Sequence, residues 1–235
     1  MNLKPLCERG KLDFTSETYG HSVNSIPLQV YMAAERTQIL IFAAIHGEES
    51  ETTALLSKAM RSLISPSPLC SVVLSANPDG SLAGTRGNAN GVELNRNFPA
   101  SNWEQRMVPH KWIDEHEQEV MLTTGASPAS EPETRALVEL VNKTKPELII
   151  AMHGPLACID DPFETKLGEW MAAETNMNRV KDIGYPTPGS FGSWAIEQNI
   201  PIVTYELPKK SVWQMLNDHL VILQKILTSG LAVYE

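Results

Sequence analysis

Residues 39–49 read ILIFAAIHGEE: an unbroken apolar run from Ile39 to Ile45 leads directly into His46, with Glu49 three residues on. A run this short and this continuous is expected of a strand buried on both faces of a sheet. It is also far short of the roughly 20 apolar residues that cross a membrane. The residues after it, Glu49 to Ile64, place Leu55, Leu56, Ala59, Met60 and Leu63 at helical spacing, giving one apolar face to lay on that sheet. Further runs of strand and helix length occur along the chain, the strand-length ones after Ile45 nearly continuous in Ile, Val and Leu. Strand-length apolar runs occur at Leu28 to Met32, Ser71 to Ala76, Leu148 to Met152 and Ile202 to Tyr205, and helical patterns at Lys166 to Asn176, Ser190 to Gln198 and Val212 to Leu227. Ser130-Glu-Pro-Glu133 reads as a capping box with Pro in the first turn, opening one more helix. Alternating strands and helices predict an α/β fold, with a mixed, largely parallel central sheet and helices on both faces.

Composition agrees with one catalytic domain over residues 1–235. The chain is 42% hydrophobic and 20% charged, with no low-complexity stretch, which excludes disorder. Lys and Arg number 19 against 28 Asp and Glu, a net charge of −9, so neither nucleic acid nor an anionic membrane is an expected partner. The opening MNLKPLCERGKLDF has no apolar core after its basic residue, and Cys7, Cys70 and Cys158 are odd in number and widely spaced. Both features point to a reducing, cytoplasmic setting.

The chemistry gathers where strands end. His46 and Glu49 follow one buried strand, His153 follows another, and Glu206 closes a third. In an open α/β sheet these ends share one rim, where ligands bind. Two imidazoles and a carboxylate with a fourth position open to water form the donor set of a hydrolytic zinc. Glu206 beside it has the chemistry of a general base. The long polar stretch Asn77 to Trp103 adds Arg86, Asn95 and Arg96, able to stabilise an oxyanion or grip a carboxylate. Lys181 to Gly192 is a second long loop. His21, His110 and His219 have no partner at ligand spacing, and His116 reads as solvated. Trp170, Trp194 and Trp213 are expected in the core, and Cys158 as packed.

HxxE at 46–49, NPDG at 77–80, GVELNRNFP at 91–99, His153 and Glu206 together resemble the zinc carboxypeptidases over roughly residues 39–208. The resemblance implies one zinc ion on His46, Glu49 and His153, Glu206 as general base and Arg86 as oxyanion stabiliser. Asn95 and Arg96 would then clamp the carboxylate beside the scissile bond. Where the family usually has Asp ahead of NRN, as partner to a zinc histidine, this chain has Glu93. The segments GVELNRNFPASNW, SEPET, PLACIDDP, LGEW and GYPTPGSFGSW resemble a bacterial branch that cleaves the γ-D-glutamyl to meso-diaminopimelate amide of peptides from cell-wall turnover. That substrate's distal end carries an ammonium and a carboxylate, for which Asp160 or Asp161 and the hydroxyls of Ser190 and Ser193 are candidates. The aspartates could instead shape the loop before Pro162, and the serines could start a helix. A general metallocarboxypeptidase, an acyl-amino-acid deacylase and a zinc-stabilised peptide-binding module are the competing readings.

Overall fold

The computed structural model describes residues 3–111 and 119–234; His116 lies outside them. In chain order the elements begin with β1 (Glu17–His21), β2 (Pro27–Val30), β3 (Ile39–Phe42), α1 (Ser50–Arg61), β4 (Cys70–Val73) and α2 (Pro78–Ala83). Next come β5 (Met107–Lys111), β6 (Glu119–Thr123), α3 (Pro132–Thr144), β7 (Leu148–His153), β8 (Leu156–Asp160), α4 (Lys166–Thr175) and β9 (Asn178–Val180). The chain closes with α5 (Phe191–Glu197), β10 (Ile202–Pro208), α6 (Val212–Met215) and α7 (Val221–Ser229).

Six strands form the central sheet in the order β4-β3-β7-β10-β8-β9. Its first four run parallel, β8 is antiparallel to β10, and β9 is parallel to β8. Alternation along β3 and β7 serves both faces. Ile39, Ile41, Leu148 and Ile150 pack with α1, α4 and α7, whereas Leu40, Phe42, Ile149 and Ala151 pack with α3 and α5. That two-sided burial is why β3 and β7 carry no polar residue before His153.

The run at Leu28 to Met32 is placed, and three expectations are corrected. The run at Leu28 to Met32 supplies β2, which alternates exposed and buried residues and pairs with β1 in a separate two-stranded sheet. The Ser130–Glu133 capping box does not form. The Ser130 hydroxyl donates to Glu131, and Glu133 accepts from the Val23 N–H and the Asn88 amide, so distant donors outcompete the local one. The expected final helix is interrupted by a π-helical turn at Leu216–Leu220, where buried His219 meets the Tyr205 hydroxyl at 2.6 Å. Trp213 is 75% exposed, with the Lys58 ammonium over its ring, whereas Trp194 is in the core. Among the described residues no helix is long and apolar enough to cross a membrane.

Candidate active site

Parallel register places the site. His153 lies opposite Glu206 across the β7–β10 pair, and Phe42 lies opposite Ala151, so the chain leaving β3 carries His46 to the same rim. The turn after His46 packs tightly against the start of α2: a Cβ on Gly47 would sit 2.1 Å from the Gly80 carbonyl carbon. Asn77 fixes this junction, accepting from the Gly80 N–H and donating to the carbonyls of Ile45 and Arg86. NPDG and HGEE are thus two halves of one close backbone contact.

His46 Nδ1 lies 2.7 Å from Glu49 Oε1 and 3.2 Å from His153 Nδ1, which is 3.3 Å from Glu49 Oε2. All three residues are at least 95% buried. Glu49 Oε2 has no hydrogen-bond partner among the described residues. Lewis-basic atoms converging without enough donors between them fit a cation, and two nitrogens with a carboxylate fit zinc. Glu93 Oε1 stands 2.9 Å from His46 Nε2, although not in hydrogen-bond alignment, while its other oxygen receives the Arg86 Nε–H. The longer carboxylate therefore does reach the histidine. Burial opposes a charged imidazole, and so does Arg86, but Glu49 and Glu93 outweigh them and hold His46 at about 9.

A cavity of about 610 Å³, a size suited to a small peptide, opens over these residues. Its walls include Glu206, Arg86, Asn95, Arg96, Asp160, Ser190 and Ser193. Burial pushes the Glu206 carboxyl above its ordinary range, with His153 opposing. Arg96 is 9% exposed, gives one N–H to the Asn95 carbonyl at 2.7 Å, and leaves its Nε without a partner among the described residues. Desolvation lowers its pKa. A buried guanidinium short of an acceptor is an anion site in waiting. Asn95 accepts the Phe191 N–H on its side-chain oxygen, and among the described residues no hydrogen bond takes its amide N–H groups.

Asp160 faces the cavity, pushed up to about 6 by burial and by Glu206. Asp161 does not: it is fully buried, accepting from Thr165 and pairing with Arg179 at 2.8 Å, so it builds the loop. Ser190 caps α5 through the Ser193 N–H at 3.0 Å, and Ser193 donates to the Thr187 carbonyl, so both hydroxyls carry structural bonds at the cavity wall. Cys158 is buried, its thiol pushed up to about 11 chiefly by burial. Other polar wall residues carry no role in the sequence reading. Tyr185 and Lys181 lie in a loop already singled out as long, and His110 has no local signal at all.

The zinc carboxypeptidase profile matches residues 15–166. The chain belongs to the zinc carboxypeptidase family. Membership makes it a metallohydrolase whose metal is zinc, and the convergent His46, Glu49 and His153 are the place among the described residues where such an ion fits. Murein peptide amidase A of Escherichia coli K12 is 44% identical over 208 residues, covering 87% of this chain and 86% of that protein. The Vibrio campbellii enzyme of the same name is 38% identical over 223 residues, covering 94% and 90%. The crystal structure of murein-tripeptide amidase from E. coli O157 superposes with a TM-score of 0.91 at 40% identity, covering 97% of this chain and 98% of that one. Thrombin-activatable fibrinolysis inhibitor, at 18% identity and a TM-score of 0.69 over 93% of this chain and 69% of its own, shares the fold.

Proposed function

We propose that this zinc carboxypeptidase-family chain is a cytoplasmic amidase, acting as one catalytic domain over residues 1–235, that cleaves the γ-D-glutamyl to meso-diaminopimelate bond of murein peptides. The observation that carries the substrate is the 38–44% identity to murein peptide amidases over about nine-tenths of the chain. Three free cysteines, one of them exposed, support a reducing compartment.

His46, Glu49 and His153 would hold the zinc, which when bound supplies Lewis acidity toward water and toward the amide carbonyl. Glu206 takes a proton from the attacking water on its carboxylate and hands it to the departing diaminopimelate nitrogen. Its burial favours the protonated form and so makes its carboxylate a stronger base. Arg86 offsets the charge that develops on the carbonyl oxygen. The carboxylate beside the scissile nitrogen fills the vacancy at Arg96 Nε and receives the Asn95 amide. In the same cavity Asp160 accepts the distal ammonium, with the Ser190 and Ser193 hydroxyls as further polar groups of its wall.

Hydrolysis of L-Ala-γ-D-Glu-meso-diaminopimelate by the zinc-loaded protein, set against the lysine-ended analogue, tests this. The expected result is release of free diaminopimelate, with the analogue at least ~10-fold slower because a site built for polar groups penalises a ligand lacking them. Equal rates on the analogue and on ordinary C-terminal peptides would make the protein a general carboxypeptidase.

A further inference from the structure

Arg86 is held from two directions. Its Nε–H goes to Glu93, and its Nη1 lies 3.4 Å from Glu48 Oε1 and 3.5 Å from Oε1 of Glu49, a carboxylate otherwise committed to the metal site. Glu48 in turn takes His110 Nε2 at 2.8 Å on the same oxygen and 3.1 Å on the other. His110 sits on β5, 62 residues away in sequence, and the β5–β6 pair is itself tied to the Arg86 loop: the Glu93 N–H donates to the Thr123 carbonyl at 2.9 Å, and the Thr123 N–H to the Gly91 carbonyl at 3.1 Å. Arg86 and His110 line the cavity, while Glu48 stands behind them. The side chains of Arg86, Glu48 and His110 are 20%, 18% and 15% exposed, shielded enough for these contacts to outweigh competition from water.

We infer that Glu48 and His110 are positioning residues that lock the Arg86 guanidinium onto the reacting carbonyl, with the β5–β6 pair as the frame they brace against. An arginine anchored by Glu93 alone could swing about its Nε. The second anchor at Nη1 removes that freedom and, among the described residues, no hydrogen bond occupies Nη2. His110 matters because a carboxylate tethered only to Arg86 would move with it, whereas His110 pins Glu48 to a separate element. Burial disfavours the charged guanidinium, yet Glu93, Glu49 and Glu48 together hold Arg86 firmly protonated, so the device fixes orientation and leaves charge untouched. This inference rests on the reading of Arg86 as oxyanion stabiliser.

The test is steady-state kinetics on the murein tripeptide with zinc-loaded Glu48→Gln, His110→Ala and Arg86→Ala and their double variants, zinc content being measured for each. Removing an oxyanion donor costs on the order of 10²–10³ in kcat, so a misaligned one is expected to cost about 10-fold, with KM changed less than about 2-fold and zinc content unchanged. In the Arg86→Ala background Glu48→Gln and His110→Ala should add nothing, and the Glu48→Gln/His110→Ala pair should be no worse than either alone. His110→Gln, which keeps a side-chain N–H donor, should recover part of the kcat and guards against a folding defect in His110→Ala. Full losses persisting without Arg86, or an effect confined to KM, would overturn the inference. Unchanged kcat in Arg86→Ala would instead overturn the oxyanion reading, and near-normal Glu48→Gln and His110→Ala beside an impaired Arg86→Ala would overturn the positioning inference alone.

Discussion

Replacing Asp160 by Asn should make the protein more stable and less active at once. Burial and the neighbouring Glu206 lift the Asp160 carboxyl from an ordinary 3.8 to about 6, and a hydrogen bond from Thr204 offsets this only in part. At 1.36 kcal/mol per pH unit, a fully desolvated carboxylate shifted that far would cost the fold about 3 kcal/mol at neutral pH. Asp160 is half-buried, and water at its exposed side reduces the figure to about 1 kcal/mol. The sign follows from proton binding. The folded state holds the Asp160 proton more tightly than the unfolded chain, so the penalty is absent below about pH 4 and fully present above about pH 6. Asn carries no such charge. Thermal unfolding of zinc-loaded Asp160→Asn should therefore give a Tm about 2–4 °C above the unsubstituted protein at pH 7.5, with the gap closing towards pH 4. At pH 7.5 the same variant should lose about 10- to 100-fold in kcat/KM on the diaminopimelate peptide, the worth of a charge-assisted hydrogen bond to the distal ammonium, and a similar factor on the lysine-ended peptide, whose side chain carries the same ammonium. A lower Tm at pH 7.5, or a gap independent of pH, would refute the desolvation argument. Unchanged kcat/KM would remove Asp160 from the substrate.

Glu206→Gln should keep zinc and substrate affinity and lose at least ~100-fold in kcat, as general-base removal requires; activity near that of the unsubstituted enzyme would end the assignment. Arg96→Ala should raise KM by about 10-fold or more, since a buried carboxylate loses a charged partner, and titration with a non-hydrolysed diaminopimelate peptide reads this as Kd. Metal capture should release a proton from His46, held at about 9 in the metal-free site. Chelator competition between pH 7 and 8.5 should thus show zinc affinity rising towards tenfold per pH unit, and a flat profile would contradict the buried ion pair.

The metal donors were legible because their signal is local. Each strand is apolar by necessity of two-sided burial, and the residue at its end is the first that need not be. Seeing His46, His153 and Glu206 at such ends was enough to place them on one rim, although His46 and His153 are 107 residues apart. The sequence likewise carried the parallel sheet, because continuous apolar strands alternating with amphipathic helices have few other solutions. It missed β1, β5, β6, β8 and β9, whose mixed residues lack that signature.

What tertiary structure alone decided is which polar groups are short of partners and which are spent. Asp160 and Asp161 are adjacent and chemically identical, yet one faces the cavity and the other is fully buried, its Oδ2 bound by Thr165 and Arg179. Arg96 is proposed as a ligand site because folding buries its Nε without an acceptor among the described residues. Glu48 gains its meaning only when β5 brings His110 to it. Residue type and strand position fix where a metal can sit, being properties of short segments. The state of a carboxylate or guanidinium depends on desolvation and on groups tens of residues away, and only the folded chain sets those.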